Sequence, residues 1–317
     1  MTMTRVLSHP LVTPLLLAAI VVGVGLVNDS NFYFRIGALI FVFGLAAIGL
    51  NILMGFAGQV SLGHAGFMGI GAYAVAIGPV HLGIPPLLAF LVGPVLAALL
   101  AYVAGRPILR LKGHYLAVAT LGFGILVSMV LTNESQLTGG PDGMIVERLE
   151  ILGWRVRGAE TWFWVAGIFM VAGALLAVNL LESPTGRALR AVHDSEVAAD
   201  VAGIDVARVK LAAFVISAVF AAVAGGLLAL MNGFITPDVA GFLHSIELVL
   251  MIVLGGLGSV FGAVVGATVL VALPQALTGF QEYEYAMLGL VMMLVMIFLR
   301  SGIVPSVKAL ARTGRAA

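Results

Sequence analysis

The most regular feature of the chain is a series of long apolar runs separated by short polar or glycine-rich breaks. Residues 36–105 contain no Asp, Glu, Lys or Arg. A bilayer core of about 30 Å needs roughly 20 apolar residues per helix. This stretch is therefore long enough for three membrane spans, which we place at 34–54, 65–80 and 86–104.

The remaining apolar runs predict an all-α polytopic membrane protein of about ten transmembrane helices. Continuous runs of Leu, Ala, Val and Gly favour helices, because a β-barrel requires alternating segments of about ten residues. An eight-span alternative treats 55–71 and 255–262 as re-entrant segments. The other predicted spans are 11–27, 114–131, 161–181, 211–231, 242–256, 258–274 and 284–300.

A faint internal repeat predicts that the chain has two related halves. Residues 53–67 resemble residues 230–242, and each stretch follows the second span of a five-span half. Because five is an odd number, the two halves would lie inverted in the membrane. Such an inverted 5+5 repeat recurs in transporters that have a central pathway.

The composition agrees with a membrane protein. Hydrophobic residues make up 61% of the chain and charged residues only 10%, whereas soluble domains carry about 25% charged residues. The net charge of +1 and the lack of a concentrated basic face argue against a nucleic-acid partner. The absence of cysteine excludes disulfides and thiolate metal sites.

The distribution of Lys and Arg predicts the orientation of the chain. Cytoplasmic loops of membrane proteins carry an excess of these residues. We predict a single transmembrane domain over 1–317, with both termini in the cytoplasm, an external loop at 132–160 and a cytoplasmic loop at 182–210. This arrangement puts twelve of the sixteen Lys and Arg residues inside and leaves four outside, namely Arg35, Arg148, Arg155 and Arg157.

The cytoplasmic loop 182–210 holds nine of the 31 charged residues. Ser183 is a predicted helix cap, followed by Pro184 at the first helical position. An amphipathic pattern interrupted at 193–195 predicts two short helices, and Gly203 permits a stop. Its mixed charge and Ala-rich middle indicate a surface that docks another protein, and the alternative is an ordinary solvated loop.

A glycine-rich stretch at 49–73 carries isolated polar side chains in an apolar setting. Polar groups at membrane depth tend to face the helix-bundle interior or a water-filled path. They are candidates for lining a translocation path, and the alternative is that they only bond neighbouring helices. The candidates, with one residue from a later span, are Asn51, Gln59, Ser61, His64 and Thr120.

His244 and Glu247 are spaced i, i+3 on one helical face. The spacing suits a proton relay or half of a metal site. A hydrogen-bonded pair near the outer interface is the simpler interpretation, since a metal site needs further ligands.

The glycines at 255–267 do not form a phosphate-binding loop, because no Lys-Ser/Thr follows them. Tight packing through Gly258, Gly262 and Gly266 accounts for them better. We therefore predict no nucleotide site and no cofactor in this chain, so energy from ATP would have to come from a partner.

Six ordered motifs resemble the LivM-type permeases of branched-chain amino-acid ABC importers, over about residues 34–300. They are GFAGQVSLGHA at 55–65, GHYLAVATLG at 113–122, LTGGPDG at 137–143, SPTGRALRA at 183–191, KLAAFVIS at 210–217 and GGLGS at 255–259.

This resemblance implies a multi-pass permease of the bacterial inner (cytoplasmic) membrane. Its implied partners are a LivH-type sister permease, two cytoplasmic ATPase subunits and an external substrate-binding protein, in addition to the lipid bilayer. It also implies that the loop 182–210 is the coupling loop to the ATPase, with Val197 interrupting an EAA-like signature. The coupling residues would be Gly186, Arg187, Arg190, Glu196, Ala198, Ala199 and Gly203.

The resemblance leaves the substrate open, because the family also transports urea, short amides and small organic acids. The leading hypothesis is a permease subunit, not itself an enzyme, of an importer for branched-chain or similar small amphipathic amino acids. The alternative from another class is an ion-coupled secondary carrier that uses His244 and Glu247.

Overall fold

The structure, a computed structural model, describes residues 12–151, 154–276, 289, 293, 297 and 301–313. Within these residues the chain is almost entirely helical. The helices in the first half are α1 (Val12–Val27), α2 (Asn31–Asn51), α3 (His64–Leu82), α4 (Pro86–Ile108), α5 (His114–Asn133) and the short α6 (Ser135–Thr138). Those in the second half are α7 (Ala159–Glu182), α8 (Pro184–Asp194), α9 (Glu196–Val201), α10 (Val206–Asn232), α11 (Phe242–Gly255), α12 (Val260–Ala276) and α13 (Ile303–Thr313).

Short elements complete the described fold. A π-helical turn, Ile52–Phe56, extends α2, and 3-10 turns lie at Gly140–Asp142 and Pro237–Ala240. On the side predicted to be external, β1 (Met144–Ile145) pairs antiparallel with β4 (Phe234–Ile235). Next to them, β2 (Glu150–Ile151) pairs with β3 (Trp154–Arg155).

Six helices in the described part of the chain are long and apolar enough to cross a membrane, or seven if α11 and α12 count as one span bent by 120°. All the spans predicted between 34 and 274 coincide with helices, and α1 matches the first one but has only 16 residues. The last predicted span, 284–300, lies outside the described residues except for 289, 293 and 297. The polytopic all-α class is therefore confirmed, and the count of ten remains a prediction.

Two long helices form the centre of the bundle. In the most apolar 18-residue stretch of the span Asn31–Phe56, 72% of the residues are buried, and the same holds for α10. In the corresponding stretch of α5, only 22% are buried. Helix α10 packs on α2, α3 and α4, and α2 packs on α7, α10 and α12. The side chains of α4 and α5 therefore supply much of the exposed apolar surface.

Glycines let the central helices approach closely. A Cβ on Gly71 would lie 2.0 Å from the carbonyl oxygen of Ala222, and one on Gly225 would lie 1.8 Å from that of Met68. The backbones of α3 and α10 thus touch, as in small-residue packing of membrane helices.

The hairpin of α11 and α12 is packed in the same way. A Cβ on Gly262 would lie 2.7 Å from the Gly255 carbonyl oxygen, and one on Gly266 would lie 1.7 Å from that of Met251. The prediction that Gly258 also packs between the helices is wrong. This residue lies in the turn between them, with φ +75°.

The pattern of helix packing is compatible with the inverted repeat. In the predicted repeat, α2, α3 and α4 of the first half correspond to α10, α11 and α12 of the second half. The contact of α4 with α10 then has its counterpart in the contact of α12 with α2. Likewise, the contact of α3 with α4 has its counterpart in the contact of α11 with α12. The repeat itself remains a prediction.

Candidate functional site

The loop 182–210 folds into the two short helices that its pattern predicts. The Ser183 hydroxyl accepts a hydrogen bond from the Gly186 N–H at 3.4 Å and caps α8, and Pro184 takes the first helical position. Ser195 caps α9 in the same way. Gly203 then ends this segment with φ +85°. The loop is therefore an ordered structure.

Contacts with the end of α7 fix the start of the loop. A Cβ on Gly186 would lie 2.2 Å from the Leu181 carbonyl oxygen, so this position has no room for a side chain. The Arg190 guanidinium donates to the same oxygen at 2.9 Å, and Arg187 donates to the Glu182 carbonyl at 3.5 Å. Helix α8 is thus joined rigidly to the membrane helix before it.

Glu196 joins the loop to the membrane helices after and before it. Its carboxylate pairs with the ammonium group of Lys210, which is almost fully buried at the start of α10. It also accepts a hydrogen bond from Gln59 at 3.3 Å and lies 3.7 Å from the exposed ammonium of Lys112. One carboxylate therefore connects α9, α10, the segment after α2 and the start of α5.

These partners favour the ionised form of the Glu196 carboxyl group. Burial alone would raise the pKa of its carboxyl group, but the hydrogen bond and charge of Lys210, with Gln59 and Lys112, hold the pKa below its usual value of 4.5. Glu196 is therefore ionised at neutral pH, and the connection is a charged one.

The other predicted coupling residues divide between core and surface. Ala199 is buried against the loop, whereas Ala198 is exposed. Two apolar side chains on α9, Val197 and Val201, are 71% and 85% exposed. They border a cleft of about 840 Å³ that is also lined by Arg106, Arg110, Lys112 and Glu196.

A buried polar cluster lies where α3 begins. Both ring nitrogens of His64 are hydrogen-bonded, Nδ1 with the Ser61 hydroxyl at 2.8 Å and Nε2 with the Ser217 hydroxyl on α10. The Leu62 N–H donates to the Thr120 hydroxyl at 3.1 Å. The Ala65 N–H donates to the hydroxyl of Ser245 on α11, also at 3.1 Å. The cluster thus joins four helices around the broken segment before α3.

Asn51 has a similar bridging position. Its side-chain amide donates to the Ser259 carbonyl at 2.9 Å, and its side-chain oxygen accepts from the Gly258 N–H at 3.0 Å. The turn between α11 and α12 is thereby held against the end of α2. The five path candidates are all buried in this conformation, so their role in a translocation path remains a prediction. They are Asn51, Gln59, Ser61, His64 and Thr120.

The predicted hydrogen bond between His244 and Glu247 is present at 2.7 Å. Its location differs from the expectation of an outer-interface pair. The His244 ring lies 6.3 Å from the ring of Phe43, which is halfway along the span Asn31–Phe56. Among the described residues, no group of three or more metal-ligating side chains occurs.

A pocket of about 540 Å³ opens on the side predicted to be external. It is lined by the end of β1, by the segments that flank the β2–β3 hairpin and by the ends of α2, α7 and α10. Arg35, Arg148 and Arg157 line it, together with Asn232 and Trp162, and none of the described residues that line it is acidic. Within the described part of the chain, none of the three guanidinium groups forms an ion pair.

Sequence reasoning missed several residues of these sites. Lys210, Ser217, Ser245 and Ser259 supply the partners of Glu196, His64, Ala65 and Asn51. For the side-chain partners, the available signal was the presence of single polar side chains in long apolar helices, which rarely occur without a partner. Ser259 contributes its backbone carbonyl, which no sequence pattern marks.

Comparison with known proteins identifies relatives over most of the chain. Residues 32–296 match the family described as "Branched-chain amino acid transport system / permease component". The permease protein LivM of the Escherichia coli K12 high-affinity branched-chain amino acid transport system is 34% identical, over 85% of this chain and 69% of the relative.

Two further relatives carry related descriptions. The permease protein LivH of the same E. coli system is 29% identical, over 82% of this chain and 90% of LivH. The permease protein BraD of Pseudomonas aeruginosa is 27% identical, over 82% of this chain and 91% of BraD. No solved structure gives a significant match.

Proposed function

We propose, from the premise that this chain belongs to the family of branched-chain amino acid transport permeases, that it is a membrane-spanning subunit of an ATP-driven importer. Its substrates would be branched-chain or similar small amphipathic amino acids. The observation that carries the proposal is the ordered cytoplasmic loop tied to the membrane helices through Glu196 and Lys210. Such a loop suits the transfer of motion from a partner to the bundle.

The E. coli relatives support a paired permease. LivM and LivH are both named as permease proteins of one transport system, and both are similar to this chain. A subunit of this kind would build the translocation path together with a sister permease. The location that follows is the bacterial inner membrane, with both termini in the cytoplasm.

The cleft beside α9 is the proposed contact for the ATPase subunits. Exposed Val197 and Val201 offer an apolar surface, and side chains of both charges border it, among them Arg106, Arg110 and Asp200. ATP binding would move the partner, and the rigid α8–α9 unit would move with it. For this motion to shift the permease between outward and inward openings, the partner must bind the two states differently.

The test of this function is ATP-driven uptake by the whole importer. The chain is co-expressed with its sister permease and ATPase subunits, purified and reconstituted in vesicles with the external binding protein. We expect the ATPase subunits to co-purify and leucine uptake to require ATP. Uptake driven by a proton or sodium gradient without ATP would instead establish the ion-coupled carrier.

Replacing Gly186 by valine in this system is expected to reduce leucine uptake more than tenfold while the ATPase subunits remain bound. The new side chain would collide with the Leu181 carbonyl and displace the first turn of α8. Thr185→Val, an isosteric change at the exposed neighbouring position, is the control and should retain uptake. Normal uptake by Gly186→Val would remove this loop from the mechanism.

The arginine-lined pocket is the proposed contact for the external binding protein. Its three guanidinium groups, which form no ion pair with other described residues, suit carboxylates on a partner, because Arg forms planar bidentate bonds with them. Charge complementarity of this kind mainly raises association rates and is weakened by salt.

Reversing two charges in the pocket is therefore expected to weaken docking. In Arg35→Glu/Arg157→Glu, the concentration of binding protein needed for half-maximal ATPase stimulation should rise at least tenfold at low salt. Asn133→Glu adds a negative charge to an exposed site outside the pocket lining and serves as the control. An equal effect of both changes would show that the pocket has no specific role.

A further inference from the structure

His244 and Glu247 form a hydrogen-bonded pair that the coupling mechanism does not use. A carboxylate can only accept, so Nδ1 of His244 donates to Oε2 of Glu247, at 2.7 Å. The two side chains are 35% and 37% exposed. Among the described residues, no group bonds the other carboxylate oxygen of Glu247. The pair therefore presents one free acceptor on an open surface.

Two neighbours place this pair away from the outer ends of the spans. Phe43, whose ring lies 6.3 Å from that of His244, is the thirteenth residue of the 26-residue span Asn31–Phe56. Ser245, between the two members of the pair, bonds the N–H of Ala65 at 3.1 Å. Ala65 is the second residue of α3 and lies about 25 Å from the outer end of that helix, at 1.5 Å per residue. The pair therefore lies between the middle of the predicted spans and their inner ends.

The exposed face of the pair is chemically unlike the lipid-facing surfaces of the bundle. The exposed side chains of α4 at similar positions are apolar, among them Leu91, Val95 and Leu99. Ionisable groups within membrane spans face the bundle interior, another subunit or a water-filled cavity, since hydrocarbon solvates them very poorly. The surface around Glu247 is therefore not a lipid contact.

We infer that His244 and Glu247 line the translocation path and that the Glu247 carboxylate transiently pairs with the ammonium group of the amino-acid substrate. This inference rests on the proposed importer function and names the side chain that would meet the substrate. His244 fixes the orientation of the carboxylate and leaves its second oxygen available. A single, partly hydrated contact also binds weakly enough to release the substrate, as transport requires.

The first test measures whether water reaches this position in the assembled importer. The chain contains no cysteine, so Glu247→Cys and His244→Cys each introduce the single thiol of this chain, and labelling is measured on this chain after its separation from the other subunits. We expect both to react with a membrane-impermeant thiol reagent, at rates that differ at least fivefold between the nucleotide-free and ATP-bound states. Val95→Cys, which is 68% exposed on α4, should stay unreactive. Unreactive thiols at 244 and 247 in every state would overturn the inference.

The second test measures the contact with the substrate. Glu247→Gln should lower leucine uptake at least tenfold while stimulated ATP hydrolysis stays within twofold of the unmodified complex. Thr268→Val, which removes an exposed hydroxyl bonded only to its own helix, should transport normally. Normal uptake by Glu247→Gln would overturn the ammonium contact even if the thiols react.

The outcomes separate this inference from the proposed function. If the unmodified complex shows no ATP-driven uptake, the importer function itself fails. If it transports leucine but the thiols are unreactive, only the inference fails, and the pair is a contact between subunits. Should Glu247→Gln not assemble with the ATPase subunits, the reactivity of His244→Cys alone decides whether the pair lines the path.

Discussion

Replacing Glu196 by alanine is expected to lower ATP-driven leucine uptake more than tenfold in the reconstituted importer. The change leaves the ammonium of Lys210, whose side chain is only 4% exposed, without its counter-charge. Breaking a buried pair costs about 3–5 kcal/mol, and the partial exposure of Glu196 favours the lower value. A loss of about 3 kcal/mol moves the balance between docked and undocked loop roughly a hundredfold.

Lys112 provides the matched control for this prediction. Its side chain also faces Glu196, but it is 74% exposed and 3.7 Å away. Exposed ion pairs contribute about 0–1 kcal/mol, so Lys112→Ala should lower uptake less than fivefold. Equal losses in both variants would contradict the special role of the buried pair.

The double change Glu196→Ala/Lys210→Met removes both charges and should recover thermal stability without recovering coupling.

Replacing Gly225 by alanine is expected to give a large loss of folded protein. The added methyl group would lie 1.8 Å from the Met68 carbonyl oxygen, whereas carbon–oxygen contacts normally need about 3.3–3.6 Å. Overpacking typically costs about 1–3 kcal/mol, and here the obstacle is rigid helix backbone. We expect at least the upper value, with a lower melting temperature in mild detergent.

Gly23→Ala is the control for steric effects in a helix. No atom lies within 4 Å of the Cβ it would add, and alanine favours helix over glycine by about 1 kcal/mol. This variant should therefore melt at an equal or higher temperature. A similar loss in Gly23→Ala and Gly225→Ala would mean that the close approach of α3 and α10 is not important for stability.

The sequence predicts the membrane spans and the shape of the loop 182–210 because both depend on local signals. Hydropathy sets the positions of α2 to α5 to within a few residues, and Ser183 with Pro184 marks the start of α8. The resemblance in ordered motifs leads to the family that the comparisons establish.

The tertiary contacts could not be predicted in this way, because they join residues distant in the chain. Gln59 and Glu196 are 137 positions apart, and Asn51 and Ser259 are 208 apart. Hydropathy also gives the length of a span but not its depth relative to other spans. The depth of His244 therefore appeared only once its packing against Phe43 was known.

The burial of α3 has a consequence for how the protein is made. Of the six candidate spans, His64–Leu82 is the least apolar, and it carries His64 at its start. The helix that covers most of α3 is α10, which is synthesised much later, so α3 must first enter the bilayer beside α4 and α5. Its stable residence in lipid then depends on α10 arriving to cover it. The burial of α3 is therefore complete only after the second half of the chain has been made.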